Sequence, residues 1–186
     1  MQNFRELIYN QHDVVCNQKY GGYLPYSFHL KAVEAQGVKF IHLIKDTDIT
    51  NPNNIHSSWV SLKTIVRAAL IAHDSIEDAR FTYNDVADKV GLNNAIAAEM
   101  VADIVYCVTD EKGRNRKERK NDKYYAELRA NKLAIFVKLA DLAANTLFSK
   151  LTGSSMYEKY KTEFPHFKDE LYCEEFKEFF DYVENL

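Results

Sequence analysis

The sequence predicts an all-α fold, organised as one domain over residues 1–186. Only six glycines and three prolines occur in the chain, so long segments contain no helix breaker. Within those segments apolar residues recur at intervals of three and four, which puts them on one face of a helix. A chain of 186 residues can bury a substantial core. We find no internal repeat or low-complexity segment that would divide it.

The predicted elements follow one another with short connections. Helices are predicted over residues 4–17, 26–44, 59–78, 82–91, 94–109 and 128–151. An interruption is expected at Gly37 in the second helix, and Ser57 or Ser58 is expected to cap the third. Thr82 is the predicted cap of the fourth helix and Gly91 its stop signal.

Composition restricts the class of protein. Apolar residues make up 46% and charged residues 27% of the chain, which is typical of a globular domain. The net charge of −3 argues against a general nucleic-acid or membrane-surface binder. No apolar run approaches the roughly 20 residues that span a bilayer, and the N-terminus has no apolar signal core. We therefore expect a cytoplasmic protein, with its three cysteines as plain core residues.

The segment "AALIAHDSIEDARFT", residues 68–82, puts an acidic cluster directly after an apolar run. On a helix, Glu77 shares a face with His73 and Asp74, and Asp78 lies one turn after Asp74. Burying several carboxylates together is costly unless a positive charge compensates. A divalent cation does so, and a mixed imidazole and carboxylate set suits first-row transition ions better than Ca²⁺.

A helix that ends at Ala72, with the charges in solvent, is the alternative interpretation. The pair His12-Asp13 is a control within the same chain. It follows no apolar run and precedes no acidic pair, so we predict it to be a surface feature. The dipeptide alone therefore does not decide between a metal site and a solvated surface.

Two residues cannot fill a six-coordinate ion, so further ligands must come from elsewhere. In "FVKLADLAANT", Asp141 lies inside an apolar helix, with Lys138 and Asn145 on the same face. In "PYSFHLKAV", His29 lies among apolar residues. Taken alone, His29 is more often a core histidine with a satisfied hydrogen bond than a ligand.

Four segments together resemble the HD-domain metal-dependent phosphohydrolases, most closely the hydrolase domain of the RelA/SpoT-type alarmone enzymes and their small stand-alone relatives. "PYSFH" looks like that family's Pro-Tyr-x-x-His, and "HDSIED" matches its His-Asp-x-x-Glu-Asp. "VKLADLAANT" looks like its Lys-Leu-Ala-Asp-x-x-x-Asn helix, and "VTDEKGRNRKERK" resembles its Val-Thr segment before a basic stretch. The resemblance covers about residues 5–150. It implies an HD-domain helical bundle. The pattern of residues 154–186 separately predicts a C-terminal extension of two or three aromatic-rich helices.

The resemblance implies a role for each motif residue. The implied metal ligands are His29, His73, Asp74 and Asp141. The implied ion is divalent, with Mn²⁺ expected and other first-row ions as alternatives. Glu77 and Asp78 would orient or deprotonate the attacking water. The implied substrate contacts are Lys19, Arg116, Lys117, Arg119, Lys138 and Asn145.

Several alternatives stay open on the sequence alone. The basic run over residues 114–123 is either a phosphate clamp or a solvated loop, and Tyr20, Tyr23 and Tyr26 either stack on a base or pack in the core. The implied function is hydrolysis of a nucleotide phosphate or pyrophosphate, with the 3′-pyrophosphate of (p)ppGpp as one candidate. Leu142 replaces the arginine usual in the family, which favours a less charged substrate such as a nucleoside monophosphate. A non-catalytic regulatory module that binds a metal or a nucleotide is the alternative of another class.

Overall fold

The computed structural model describes residues 1–45, 59–110 and 121–186, together with the strand at Asp48–Ile49. Helices dominate these residues, so the all-α prediction is confirmed. The α-helices are α1 (Gln2–Asn10), α2 (Tyr26–Lys39), α3 (Leu62–Ala72), α4 (Ser75–Asp78), α5 (Tyr83–Lys89), α6 (Ala95–Val108), α7 (Asp122–Ala130), α8 (Lys132–Thr152), α9 (Met156–Leu171) and α10 (Lys177–Glu184). A π-helical turn spans Gln11–Val15, and 3₁₀ turns span Ile41–Leu43 and Glu174–Phe176. The short strand β1 (Lys19–Tyr20) pairs antiparallel with β2 (Leu24–Pro25), and β3 (Asp48–Ile49) pairs antiparallel with β4 (Val60–Ser61).

Helices α2, α3, α6 and α8 pack against one another and form the core of the described chain. The apolar run Ala68–Ala72 of α3 is fully buried, and its small alanines let the neighbouring helices approach closely. Helix α8 is buried along most of its length. In such a core a polar side chain needs a partner, so the buried His29 and Asp141 call for an explanation.

Gly37 lies inside α2 and does not interrupt it, contrary to the prediction. Its role is steric, because a Cβ atom at this position would lie 2.7 Å from Leu70 Cδ2. Glycine therefore allows α2 and α3 to approach each other closely. This contact fixes the helix that carries His29 against the helix that leads into His73.

The predicted helix over residues 59–78 has wrong boundaries. Helix α3 begins at Leu62, and the Ser61 side chain accepts the cap hydrogen bond from Thr64 N at 3.3 Å. The helix ends at Ala72, and Asp74 turns the chain into α4 with φ −96° and ψ 3°. Ser57 and Ser58, the predicted caps, lie outside the described residues. The caps of α5 agree with prediction, since Thr82 forms a capping box with Asp85.

His12 is not a surface residue, so the interpretation of the His12-Asp13 pair is wrong. The π-helical turn directs His12 inward, where its ring stacks on Tyr26 at 4.8 Å with an interplanar angle of 5°. Asp13 caps α2, because its Oδ1 accepts a hydrogen bond from Ser27 N at 2.9 Å. The pair was missed because its apolar environment comes from α2 and not from its own segment.

The C-terminal residues cover the core with aromatic side chains. Helix α9 packs on α8, and Phe179 of α10 stacks on Phe40 at 4.1 Å and meets Phe136 at 5.3 Å. This agrees with the predicted aromatic-rich helices after residue 154. Among the described helices, none combines the length and apolar character that a membrane span requires.

Candidate metal centre

The structure brings the four predicted ligands together from three elements. His29 comes from α2, His73 and Asp74 from the junction of α3 and α4, and Asp141 from the middle of α8. One ligand atom from each of His29, His73 and Asp141 lies within 4.8 Å of the others, and all three residues are buried. Asp74 Oδ2 lies 3.3 Å from His29 Nε2 and 2.9 Å from His73 Nε2. This cluster could hold a metal ion.

The hydrogen bond of His73 directs a lone pair into the cluster. His73 Nδ1 lies 3.1 Å from the Leu70 carbonyl oxygen, which can only accept, so Nδ1 carries the proton. In the neutral ring Nε2 then has the lone pair, and it faces His29 Nε2 at 3.2 Å. This is the common arrangement of a metal-ligating histidine, in which the second nitrogen donates to a carbonyl, a carboxylate or water. The donor set therefore fits a divalent ion.

Electrostatics keep both carboxylates of the cluster ionised. Burial raises the pKa of Asp74, but attraction to His73 and a hydrogen bond with His29 outweigh it and hold the pKa well below its usual range. Burial likewise opposes ionisation of Asp141, whose pKa is lowered by Lys138 and His29. The two carboxylates in turn shift the pKa of His29. Burial lowers the pKa of His29, but hydrogen bonds with Asp141 and Asp74 raise it to about 9.

Asp141 is held through both of its oxygens. Lys138 Nζ lies 3.1 Å from Oδ2, and Asn145 Nδ2 donates to Oδ1 at 2.5 Å. Asn145 in turn accepts a hydrogen bond from the Tyr20 hydroxyl at 2.9 Å. The polar stripe predicted on this helix is thus explained within the protein, because Lys138 and Asn145 orient the Asp141 carboxylate. Their contact with substrate stays a prediction.

Glu77 and Asp78 lie beside the cluster and line the same pocket. Glu77 Oε2 accepts from Asp110 N at 3.4 Å, and burial together with a side-chain hydrogen bond to Asp110 raises the pKa of Glu77 to about 8. Asp78 Oδ2 accepts from the Tyr26 hydroxyl at 2.9 Å, and burial raises the pKa of Asp78 as well. A carboxylate with a pKa near neutrality can exchange protons at working pH, which is the property of a general base.

The cluster opens into a pocket of about 190 Å³. Its further walls are formed by Tyr20, Tyr26, Asp110, Leu142, Asn145 and Tyr160. Lys19, a predicted substrate contact, is exposed on β1, and its neighbour Tyr20 faces the pocket instead. Arg116, Lys117 and Arg119 lie outside the described residues.

Sequence reasoning missed Asp110 and Tyr160 as site residues, and it named Tyr20 and Tyr26 only as base-stacking or core residues. Asp110 directly follows the Val-Thr segment, so its position alone could have suggested it. Tyr160 comes from α9 and has no local signal, because it meets the pocket only through the packing of α9 on α8. No family model, curated protein or solved structure matches this chain.

Proposed function

We propose that this chain is an HD-domain metal-dependent phosphohydrolase that acts on a nucleotide phosphate or pyrophosphate. The observation that carries the proposal is the pair of Nε2 atoms of His29 and His73, 3.2 Å apart, next to two ionised carboxylates. Two carboxylic groups that are not part of this cluster, Glu77 and Asp78, lie in the adjoining pocket. The motif order that resembles the HD family supports the same conclusion independently.

The residues that would hold the ion are His29, His73, Asp74 and Asp141, and Mn²⁺ is the proposed metal. A divalent ion bound there supplies Lewis acidity, which polarises a phosphoryl oxygen and acidifies a water molecule. The protein supplies the orientation, because Leu70 fixes the His73 ring, and Lys138 and Asn145 fix the Asp141 carboxylate.

The proposed reaction is an in-line displacement at phosphorus. Glu77 takes a proton from the attacking water while the new oxygen–phosphorus bond forms, and Asp78 orients that water. The bond from phosphorus to the leaving oxygen breaks, and the leaving oxygen receives a proton.

The first substrate candidate is a purine nucleotide with a 3′-pyrophosphate. Attack on the inner phosphorus can expel either the sugar oxygen or the outer phosphate, so release of intact pyrophosphate would mean that the bond to the sugar oxygen broke. The basic run over residues 114–123 supports this candidate, because a multiply charged substrate needs compensating cations.

One observation favours a nucleoside monophosphate instead. Among the described residues that line the pocket, Lys138 is the one lysine or arginine, and it is paired with Asp141. Five carboxylic side chains line the same pocket, namely Asp74, Glu77, Asp78, Asp110 and Asp141. This balance favours a substrate with fewer negative charges, and Leu142 agrees with it.

A substrate panel separates these candidates. Purified protein with Mn²⁺ is incubated with the bis-pyrophosphate and with nucleoside monophosphates, and orthophosphate and pyrophosphate are measured separately. Intact pyrophosphate from the first substrate supports the alarmone candidate, and faster orthophosphate release from a monophosphate supports the nucleotidase. Parallel reactions with chelator and with Glu77→Gln exclude a contaminating hydrolase. The absence of turnover with any divalent metal would indicate a regulatory module.

A further inference from the structure

We propose that Tyr20 and Tyr26 are positioning residues that orient the two carboxylates of the metal centre. Both tyrosines come from the segment that contains the β1–β2 hairpin and the first residue of α2. One hydroxyl acts on Asp74 directly, and the other acts on Asp141 through Asn145. The inference rests on the proposed metal centre and assigns the hydroxyls a role toward it.

Tyr26 acts on the oxygen of Asp74 that faces the histidines. Its hydroxyl donates to Asp74 Oδ2 at 2.7 Å, and this same oxygen lies within 3.3 Å of both Nε2 atoms. Asp78 Oδ2 is 2.9 Å from the same hydroxyl. Tyr26 thus contacts both a proposed metal ligand and a proposed catalytic carboxylate. A hydroxyl has one proton, so it can donate a full hydrogen bond to one of these carboxylates at a time.

The ring of Tyr26 is fixed from two sides. It stacks on His12 at 4.8 Å and meets His29 edge-on at 5.4 Å. These ring contacts remain available when the hydroxyl is removed. Removing the hydroxyl alone should therefore change the orientation of Asp74 and leave the ring where it is.

Tyr20 acts on Asp141 by fixing the orientation of an amide. Its hydroxyl donates to Asn145 Oδ1 at 2.9 Å, so the other end of the amide, Nδ2, must point to Asp141 Oδ1 at 2.5 Å. This Oδ1 is the oxygen that lies 3.4 Å from His29 Nε2. Without Tyr20 the amide can rotate, and rotation would turn an oxygen toward the Asp141 carboxylate.

The hairpin is anchored, so Tyr20 has a defined position. Tyr20 pairs with Leu24 across the hairpin, and its ring packs on Phe148 at 4.3 Å and on His29 at 4.7 Å. Gly21 has φ +60°, and a Cβ atom there would lie 2.8 Å from the Phe148 ring. The turn glycine therefore permits the close contact that seats Tyr20 on α8.

The test replaces each hydroxyl and keeps each ring. Mn²⁺ affinity is measured by calorimetric titration for Tyr20→Phe and Tyr26→Phe, with melting curves of the metal-free proteins in parallel. The matched control is Tyr23→Phe, because Tyr23 lies in the same turn and is 65% exposed. We expect about 10- to 100-fold weaker Mn²⁺ binding in the two variants, an unchanged control, and metal-free variants that remain folded at the temperature of the titration.

A double-mutant cycle tests the connection through Asn145. If Tyr20 acts only through Asn145, adding Tyr20→Phe to Asn145→Ala should weaken Mn²⁺ binding no further. Additive losses would overturn this path. Wild-type affinity in both tyrosine variants would overturn the positioning role and leave the metal centre standing, whereas a wild-type protein that binds no Mn²⁺ would overturn both. Weakened binding explained by a lower metal-free melting temperature would indicate a purely structural role and also overturn the inference.

Discussion

His29 Nε2 and His73 Nε2 lie 3.2 Å apart in the centre of the helical core. A neutral imidazole has one N–H and one lone pair, so either an N–H of one ring or a bound cation must separate the two nitrogens. Burial lowers the pKa of His29, but hydrogen bonds with Asp141 and Asp74 raise it to about 9, which favours a proton on His29 in the metal-free protein. In the proposed metal-loaded protein the ion takes its place. Metal binding would therefore exchange this proton for the ion.

The first prediction concerns metal content. Wild-type protein should bind about one Mn²⁺ per chain, and His73→Ala or Asp141→Ala should abolish binding, because each removes one of the four proposed ligands. Elemental analysis after gel filtration measures the content. His42→Ala is the matched control, since His42 is exposed and pairs with Glu178 at 3.0 Å on the surface. Full occupancy in both site variants would contradict the ligand assignment.

The second prediction concerns stability upon chelation. An emptied site leaves the buried carboxylates of Asp74 and Asp141 close to each other without the charge of the divalent ion. Mn²⁺ at 100 times its Kd should stabilise the fold by about 2.7 kcal/mol, and EDTA should lower the melting temperature accordingly. Differential scanning calorimetry with and without EDTA measures this. The Asp141→Ala variant should show no response to EDTA.

The third prediction concerns pH. His29 must lose its proton to bind the ion, so Mn²⁺ affinity should rise by about tenfold per pH unit up to pH 9 for one displaced proton. The free energy of unfolding of the metal-free protein should instead fall as the pH rises. The contribution of His29 is complete below its ordinary pKa of 6.5 and is lost as the pH rises through 9. Calorimetric titrations and urea unfolding in EDTA between pH 6.5 and 9.5 check both, and a pH-independent affinity would contradict the exchange.

The fourth prediction separates catalysis from metal binding. Glu77→Gln should keep Mn²⁺ content and substrate binding while turnover falls by roughly two or more orders of magnitude. The raised pKa of Glu77 predicts that wild-type turnover increases with pH until about 8, where the base becomes ionised. Steady-state kinetics with paired metal analysis measure both effects. Turnover of Glu77→Gln at the wild-type rate would show that Glu77 is not the base.

The fifth prediction tests the contact between α2 and α3. Gly37→Ala should lower the free energy of unfolding by about 1–3 kcal/mol, because the new methyl group overlaps Leu70 in a closely packed interface. Urea unfolding of the metal-free protein measures the loss. Combining Gly37→Ala with Leu70→Ala should cost less than the sum of the two single changes, since the truncated side chain makes room for the methyl group.

Local sequence signals predicted the helical fold and singled out the residues of the metal cluster, whereas their roles as ligands came from the resemblance to the HD family. Apolar spacing and the scarcity of glycine and proline predicted the helical fold, because helix formation depends on neighbours three and four residues away. His29 and Asp141 were conspicuous because each lies in an apolar segment, where an isolated polar group needs a partner. Polar residues directly after an apolar run likewise identified the segment from His73 to Asp78.

Only the tertiary structure decided which further groups act on the cluster and how the chain enters it. The break of α3 at His73, the burial of His12 and the hydroxyl contacts of Tyr26 with Asp74 depend on packing between segments far apart in the chain. Tyr160 likewise joins the pocket through a helix whose own sequence gives no indication of it. Periodicity reports which face of a helix is buried. It does not report which helix covers that face. The covering helix determines the partners of a buried polar group.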